Sequence, residues 1–185
     1  MAEHVILFAG PMGAGKTTAI STLSEIPVVS TEAANSERDV VDKATTTVAL
    51  DYGEIATGED EKVRLYGVPG QRRFDFMWSI LKERARGLVL LINNDAPDAV
   101  ATAVEYLSSF EELLGRGAVV VAVTRLDLAP EPALADYSAA LSAAWPGAPI
   151  PVLSLDPRDA SQMQTALLML VAIIDARASL MEAAR

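Results

Sequence analysis

The sequence contains no cysteine, which excludes disulfides, thiolate metal sites, a cysteine nucleophile and prenyl or palmitoyl attachment together. It has one histidine, His4, so no site built on several imidazoles can form. Basic residues are outnumbered, 15 Lys and Arg against 25 Asp and Glu, for a formal charge of −10. Such a field repels a nucleic-acid backbone and an anionic membrane face, so neither is the expected primary partner. The apolar start, Val5 to Ala9, lacks the basic lead of a secretory signal, and residue 2 is Ala where myristoylation needs Gly. The longest unbroken apolar run, Ala166 to Ile174, falls far short of the ~20 residues of a membrane-spanning helix. The expectation is a cytoplasmic chain with no membrane anchor of its own.

Apolar residues, at 51% of 185, are plentiful enough for one compact domain over residues 1–185 that buries roughly 70% of its unfolded surface. Short β-branched runs alternate with longer stretches of helical period, which predicts an α/β fold: a mostly parallel six-stranded sheet with helices on both faces. The strands are expected at His4–Ala9, Thr47–Ile55, Lys62–Val68, Gly87–Ile92, Ala118–Val123 and Ile150–Leu153. The second and third of these flank a polar turn, Ala56 to Glu61, and should pair antiparallel. Helices are expected over Lys16–Glu25, over a short segment bearing Phe74, Met77, Trp78 and Leu81, and over Pro97–Leu114, Ala133–Ala144 and Arg158–Ala183. On the last, Met163, Leu167, Leu170, Val171 and Ile174 should form one face docked on the sheet. Pro27 to Ala44 has no period and reads as a long loop.

Gly10 to Thr17 reads GPMGAGKT and satisfies G-x-x-x-x-G-K-[ST], lying between a predicted strand and a predicted helix as that motif requires. Glycines let successive backbone amides turn toward phosphate oxygens, and the helix N-terminus adds positive potential. Lys16 would reach the β and γ phosphates and the Thr17 hydroxyl would ligate Mg²⁺. The motif makes the chain a P-loop nucleotide-binding protein.

Downstream, the sequence resembles the Ras-like small GTPases. TVALDY at Thr47–Tyr52 is similar to the switch I threonine and the strand after it, and LYGVPGQRRF at Leu65–Phe74 to switch II. RGLVLLINN at Arg86–Asn94 is similar to the fourth strand, TRLD at Thr124–Asp127 to N-K-x-D, and SLD at Ser154–Asp156 to S-A-K. The TTTVALDYG and GVPGQ segments look closest to a bacterial and archaeal branch, the gliding-motility polarity and conservon GTPases.

The resemblance implies a Ras-like G domain, a GTPase switch whose mobile segments are residues 27–47 and 69–78. It gathers Gly10, Met12, Gly13, Ala14, Gly15, Lys16, Thr17, Thr18, Gly70, Thr124, Arg125, Asp127, Ser154 and Leu155 around GTP or GDP, with Thr17 and Thr47 on Mg²⁺. Thr45 and Thr46 are close enough to take the role given to Thr47. Lys16, Thr47 and Gln71 would be catalytic, Gln71 orienting the attacking water while the Gly70 amide closes on the γ phosphate. Asp127 would accept two hydrogen bonds from guanine, the Arg125 stem would cover a purine face and the Leu155 amide would bond to guanine O6. Slow intrinsic turnover would call for a protein activator, of the roadblock type in the branch resembled, and a protein effector.

The pattern is not complete. Gly67 stands where switch II usually carries an aspartate, for which Asp51 or Asp95 are the possible replacements, and weaker Mg²⁺ dependence is expected. Thr124 and Arg125 replace Asn and Lys, which leaves guanine selectivity resting on Asp127. Arg72 and Arg73 follow Gln71, where surface charge is the plainer reading and an arginine acting in cis the sharper one. Two other functions compete: a nucleotide-binding adaptor with negligible hydrolysis, and a P-loop kinase that uses ATP.

Overall fold

The computed structural model describes residues 3–30, 50–56, 62–70 and 75–183. In chain order the elements are β1 (Glu3–Ala9), α1 (Lys16–Leu23), β2 (Val29–Ser30), β3 (Asp51–Ala56), β4 (Lys62–Gly67), α2 (Asp75–Arg84), β5 (Ala85–Asn93), α3 (Ala99–Ser108), α4 (Glu112–Arg116), β6 (Ala118–Thr124), α5 (Leu134–Ala144), β7 (Val152–Ser154) and α6 (Ala160–Ala183). The strands form one sheet in the order β2-β3-β4-β1-β5-β6-β7. All pairs are parallel except β2 with β3 and β3 with β4.

The continuous apolar strands work because each has two faces to bury. Along β1, Val5, Leu7 and Ala9 enter one core and Ile6 and Phe8 the other. β5 divides likewise, Leu88, Leu90 and Ile92 against Val89 and Leu91, as does β6, Val119, Val121 and Val123 against Val120 and Ala122. The first core is closed by Trp78 of α2, Tyr106 and Leu107 of α3, Leu113 of α4 and Tyr137 and Leu141 of α5. Ala19, Ile20 and Leu23 of α1 and Met163, Ala166 and Leu170 of α6 close the second.

The α/β architecture and the six expected strands are present, with four corrections. A seventh strand, β2, lies within the stretch read as a loop; two residues are too few to show a period, and its backbone bonds to β3 create it. The expected helix over residues 97–114 breaks into α3 and α4, because the N–H groups of Ser109 and Phe110 turn back to the Tyr106 and Leu107 carbonyls and sink Phe110 into the core. On α6 the docked row runs Met163, Ala166, Leu170, with Leu167, Ile173 and Ile174 packed beside it, and Val171 lies off it at 43% exposure. Finally, Ala160–Leu180 is long and apolar enough to cross a membrane by length and composition, since Asp175 and Arg177 are its only charges. Its row of Met163, Ala166 and Leu170 is a core contact with the sheet, while the greater part of that span is not buried.

Candidate nucleotide site

Loops leaving the carboxyl ends of β1, β4, β5, β6 and β7 meet at one rim, with β1 between β4 and β5 at the point where successive strands diverge. Open α/β sheets place ligands at such a crevice. The phosphate loop, Gly10 to Gly15, leaves β1 here. Gly10 has φ 137°, and a Cβ built there would lie 2.0 Å from the Leu91 carbonyl oxygen, so only glycine fits. Lys16 Nζ donates to the Gly10 and Pro11 carbonyls, each at 2.8 Å, holding its ammonium across the mouth of the loop.

Burial lowers the Lys16 pKa from 10.5 to about 8, and the Asp51 charge partly opposes that shift. The unliganded chain therefore bears a penalty for holding the ammonium below about pH 8, relieved as pH rises to 10.5, where the unfolded lysine also loses its proton. Ligand binding runs the other way, because phosphate requires the charged form. Nucleotide affinity is expected to be flat below about pH 8 and to fall by up to ~10-fold per pH unit above it, with proton uptake on binding. Titration calorimetry in buffers of different ionisation enthalpy checks both.

Next to Lys16, the Thr17 hydroxyl donates to Asp51 Oδ2 in a short hydrogen bond. A Mg²⁺ ion suits this pair: it takes one or two protein oxygens, keeps several waters and completes its shell with substrate phosphates. Asp95, the other possible replacement, is committed elsewhere. It accepts from Arg125 Nη1 at 2.8 Å and from Asn93 Nδ2 at 3.1 Å, and those contacts lower its pKa. Gly70 packs against the loop; a Cβ there would lie 2.9 Å from the Gly10 carbonyl oxygen and the Met12 nitrogen and 3.0 Å from Lys16 Nζ. Its carbonyl accepts the Tyr106 hydroxyl at 2.6 Å, and the neighbouring Pro69 carbonyl accepts Trp78 Nε1 at 3.2 Å.

A cavity of about 580 Å³ adjoins the phosphate loop, lined by Gly13, Ala14, Gly15 and Thr18 on one side and by Thr124, Arg125, Asp127, Ser154 and Leu155 on the other. Thr124, 1% exposed, ties the two sides together, with Oγ1 3.4 Å from the Ala14 and Ile92 carbonyls. Arg125 adopts φ 61° and its Nη2 donates to the Gly13 carbonyl at 3.1 Å, so its stem runs along the wall between loop and cavity. The Leu155 N–H is donated to the Val123 carbonyl at 3.1 Å, a bond that reading a base through this amide would have to replace. Met12 is exposed on the loop.

Further side chains shape the site. Arg158 lines the cavity and lowers the Asp156 pKa to about 2 through hydrogen bonds to its carboxylate. Buried Asn94 donates to the Ala129 and Pro132 carbonyls at 2.7 and 3.0 Å and accepts the Tyr137 hydroxyl at 2.5 Å, bracing the loop that carries Asp127. Tyr137 in turn is pushed up to about 12 by burial. A larger open groove of about 980 Å³ lies beyond Asp95, rimmed by Asp98, Glu105 and Glu131; it offers phosphate no positive charge. Thr45, Thr46, Thr47, Gln71, Arg72 and Arg73 lie outside the described residues.

Comparison with known proteins agrees with this geometry. The G domain of the T. maritima FeoB iron transporter superposes with a TM-score of 0.57 at 18% identity, covering 96% of this chain and 99% of that one. The Trypanosoma brucei Arl6 (BBS3) small GTPase with a bound nucleotide analogue, GppNp, superposes with a TM-score of 0.67 at 12% identity, covering 95% and 99%. At such identities the likeness establishes the fold, that of the small-GTPase G domain. No curated protein matches in sequence. Residues 8–144, which run from the end of β1 to the end of α5, match the family described as "conserved hypothetical ATP binding protein". A phosphate loop, a lysine poised across it and an adjoining cavity are what such a description requires, and the chain belongs to this family of P-loop proteins.

Proposed function

We propose that the chain is a single G domain that binds GTP in preference to ATP and hydrolyses it to GDP and phosphate as a molecular switch. The reading rests on the cavity beside the phosphate loop, which Asp127 and Ser154 line. A carboxylate there accepts from guanine N1–H and the N2 amino group; adenine presents an acceptor at N1 and no amino group at C2. Backbone amides of residues 13–18 and the Lys16 ammonium would hold the phosphates, with Met12 and Thr18 at the loop's edge.

Mg²⁺, when bound with nucleotide, would neutralise charge between the β and γ phosphates, and Thr17 and Thr47 are the hydroxyls assigned to it. Gly70 stands beside Lys16, where its N–H can meet a γ phosphate, and Gln71 follows it to orient water. Residues 27–47 and 69–78 are the switch segments. With no arginine assigned in cis, turnover should be slow, on the order of 10⁻⁴ to 10⁻² per second, and a roadblock-type activator and a separate effector are proposed partners. We place the chain in the prokaryotic cytoplasm, near the gliding-motility and conservon GTPases.

Competition of unlabelled GTP and ATP against a fluorescent guanine nucleotide tests the base, and single-turnover phosphate release tests the enzyme. GTP should win, and Asp127→Ala should cut its advantage by about 100-fold, the loss of two charge-assisted hydrogen bonds. Equal competition by ATP with wild-type protein would refute the guanine reading. Gln71→Leu should bind normally and release phosphate more slowly; an unchanged rate would remove Gln71 from the mechanism.

A further inference from the structure

β3 and β4 run antiparallel with Asp51 directly opposite Gly67, so their side-chain positions point to the same face of the sheet. They compete for one space. A Cβ on Gly67 would lie 3.0 Å from the Asp51 Cβ, 3.2 Å from Asp51 Oδ2 and 3.0 Å from Ile20 Cδ1. The strand end can thus supply a carboxylate from β4 or from β3, not from both. In this chain it comes from β3, and it already meets the oxygen of the P-loop threonine.

We propose that Asp51 is the carboxylate that retains Mg²⁺ at the nucleotide site, in the role that P-loop proteins give to an acidic residue beside the loop's hydroxyl, and that Gly67 is glycine in order to admit it. The inference rests on the nucleotide-binding reading given above. Two observations converge on it: the Thr17 hydroxyl donates to Asp51, so the carboxylate faces the phosphate loop, and a Cβ on Gly67 would crowd that carboxylate from the facing strand. Exchange of the two residues follows directly. A carboxylate at position 67 with glycine at 51 would occupy the same space from the opposite strand.

The experiment measures dissociation of a fluorescent GDP analogue from wild type, Asp51→Asn, Gly67→Asp and the double exchange Asp51→Gly/Gly67→Asp, in excess Mg²⁺ and in chelator. Bound Mn²⁺ is counted in parallel by electron paramagnetic resonance, and thermal melts confirm folding. In Asp51→Asn, Mg²⁺ retention and Mn²⁺ affinity should fall by about 10–100-fold, while dissociation in chelator stays within about 3-fold of wild type. Gly67→Asp alone should melt lower because both side chains contend for one space, and the double exchange should recover a large part of the Mg²⁺ effect. A folded Asp51→Asn with the wild-type Mg²⁺ effect overturns the proposal and leaves nucleotide binding intact. If Asp51→Asn does not fold, a folded double exchange with no Mg²⁺ effect overturns it. Wild type that retains no nucleotide in either condition overturns the nucleotide reading itself.

Discussion

Lys16→Ala is expected to weaken nucleotide binding by about 2–5 kcal/mol, roughly 30- to 4,000-fold, the cost of truncating one partner of a desolvated charge pair. The ammonium is already half-buried and its hydrogen bonds to Gly10 and Pro11 hold it over the loop, so phosphate meets a preorganised donor. Among the described residues the other cation on the loop is Arg125, whose guanidinium is engaged with the Gly13 carbonyl and the Asp95 carboxylate. Stability should move little in the opposite sense, since the variant loses a group that burial penalises. Calorimetry with GDP and GTP, paired with thermal melts of the free protein, separates the effects. A Lys16→Ala protein that binds within 3-fold of wild type would mean that phosphate is held elsewhere.

The second large effect is on folding. Gly10→Ala would place a methyl 2.0 Å from the Leu91 carbonyl oxygen at φ 137°, so either β5 must give way or the loop must leave its path. β5 is an interior strand paired on both edges, with β1 and β6, and cannot yield cheaply. Strain and overpacking together should cost on the order of 3–5 kcal/mol, a fall of about 6–20 °C in melting temperature for a chain of this size. Gly13→Ala is the matched comparison: its φ is 84° but no atom lies within 4 Å of the new methyl, so only the backbone cost of ~1–2 kcal/mol applies. Melts that fall equally for both would show that the close approach at Leu91 does not matter.

What could be read from the sequence depended on whether the determinant was local. The buried strands β1, β5 and β6 were legible because each carries an unbroken apolar run, Val5–Ala9, Leu88–Ile92 and Ala118–Val123, which only a sheet covered on both faces requires. The phosphate loop was legible because its chemistry sits within eight consecutive residues, Gly10 to Thr17. The two-residue β2 exists only through its partner, and the break between α3 and α4 is set by Phe110 reaching a core assembled from five other elements. Asp51 and Asp95 were equal candidates in one dimension; only strand register puts the first opposite Gly67, and only the fold brings Arg125 to the second. Asn94 bracing Ala129 and Pro132, and Tyr106 holding Gly70, join positions some thirty-five apart, which no periodic pattern reveals.

The Trp78 side chain lies 5% exposed between Tyr106 and Phe110, with its indole N–H on the carbonyl just before Gly70. The chain has only one other tryptophan, Trp145, at the end of α5. A Trp145→Phe protein would therefore carry one intrinsic fluorophore, wired by a single hydrogen bond to the segment that meets the phosphate loop. Its emission colour would follow that segment in real time, with no dye attached and no crystal needed.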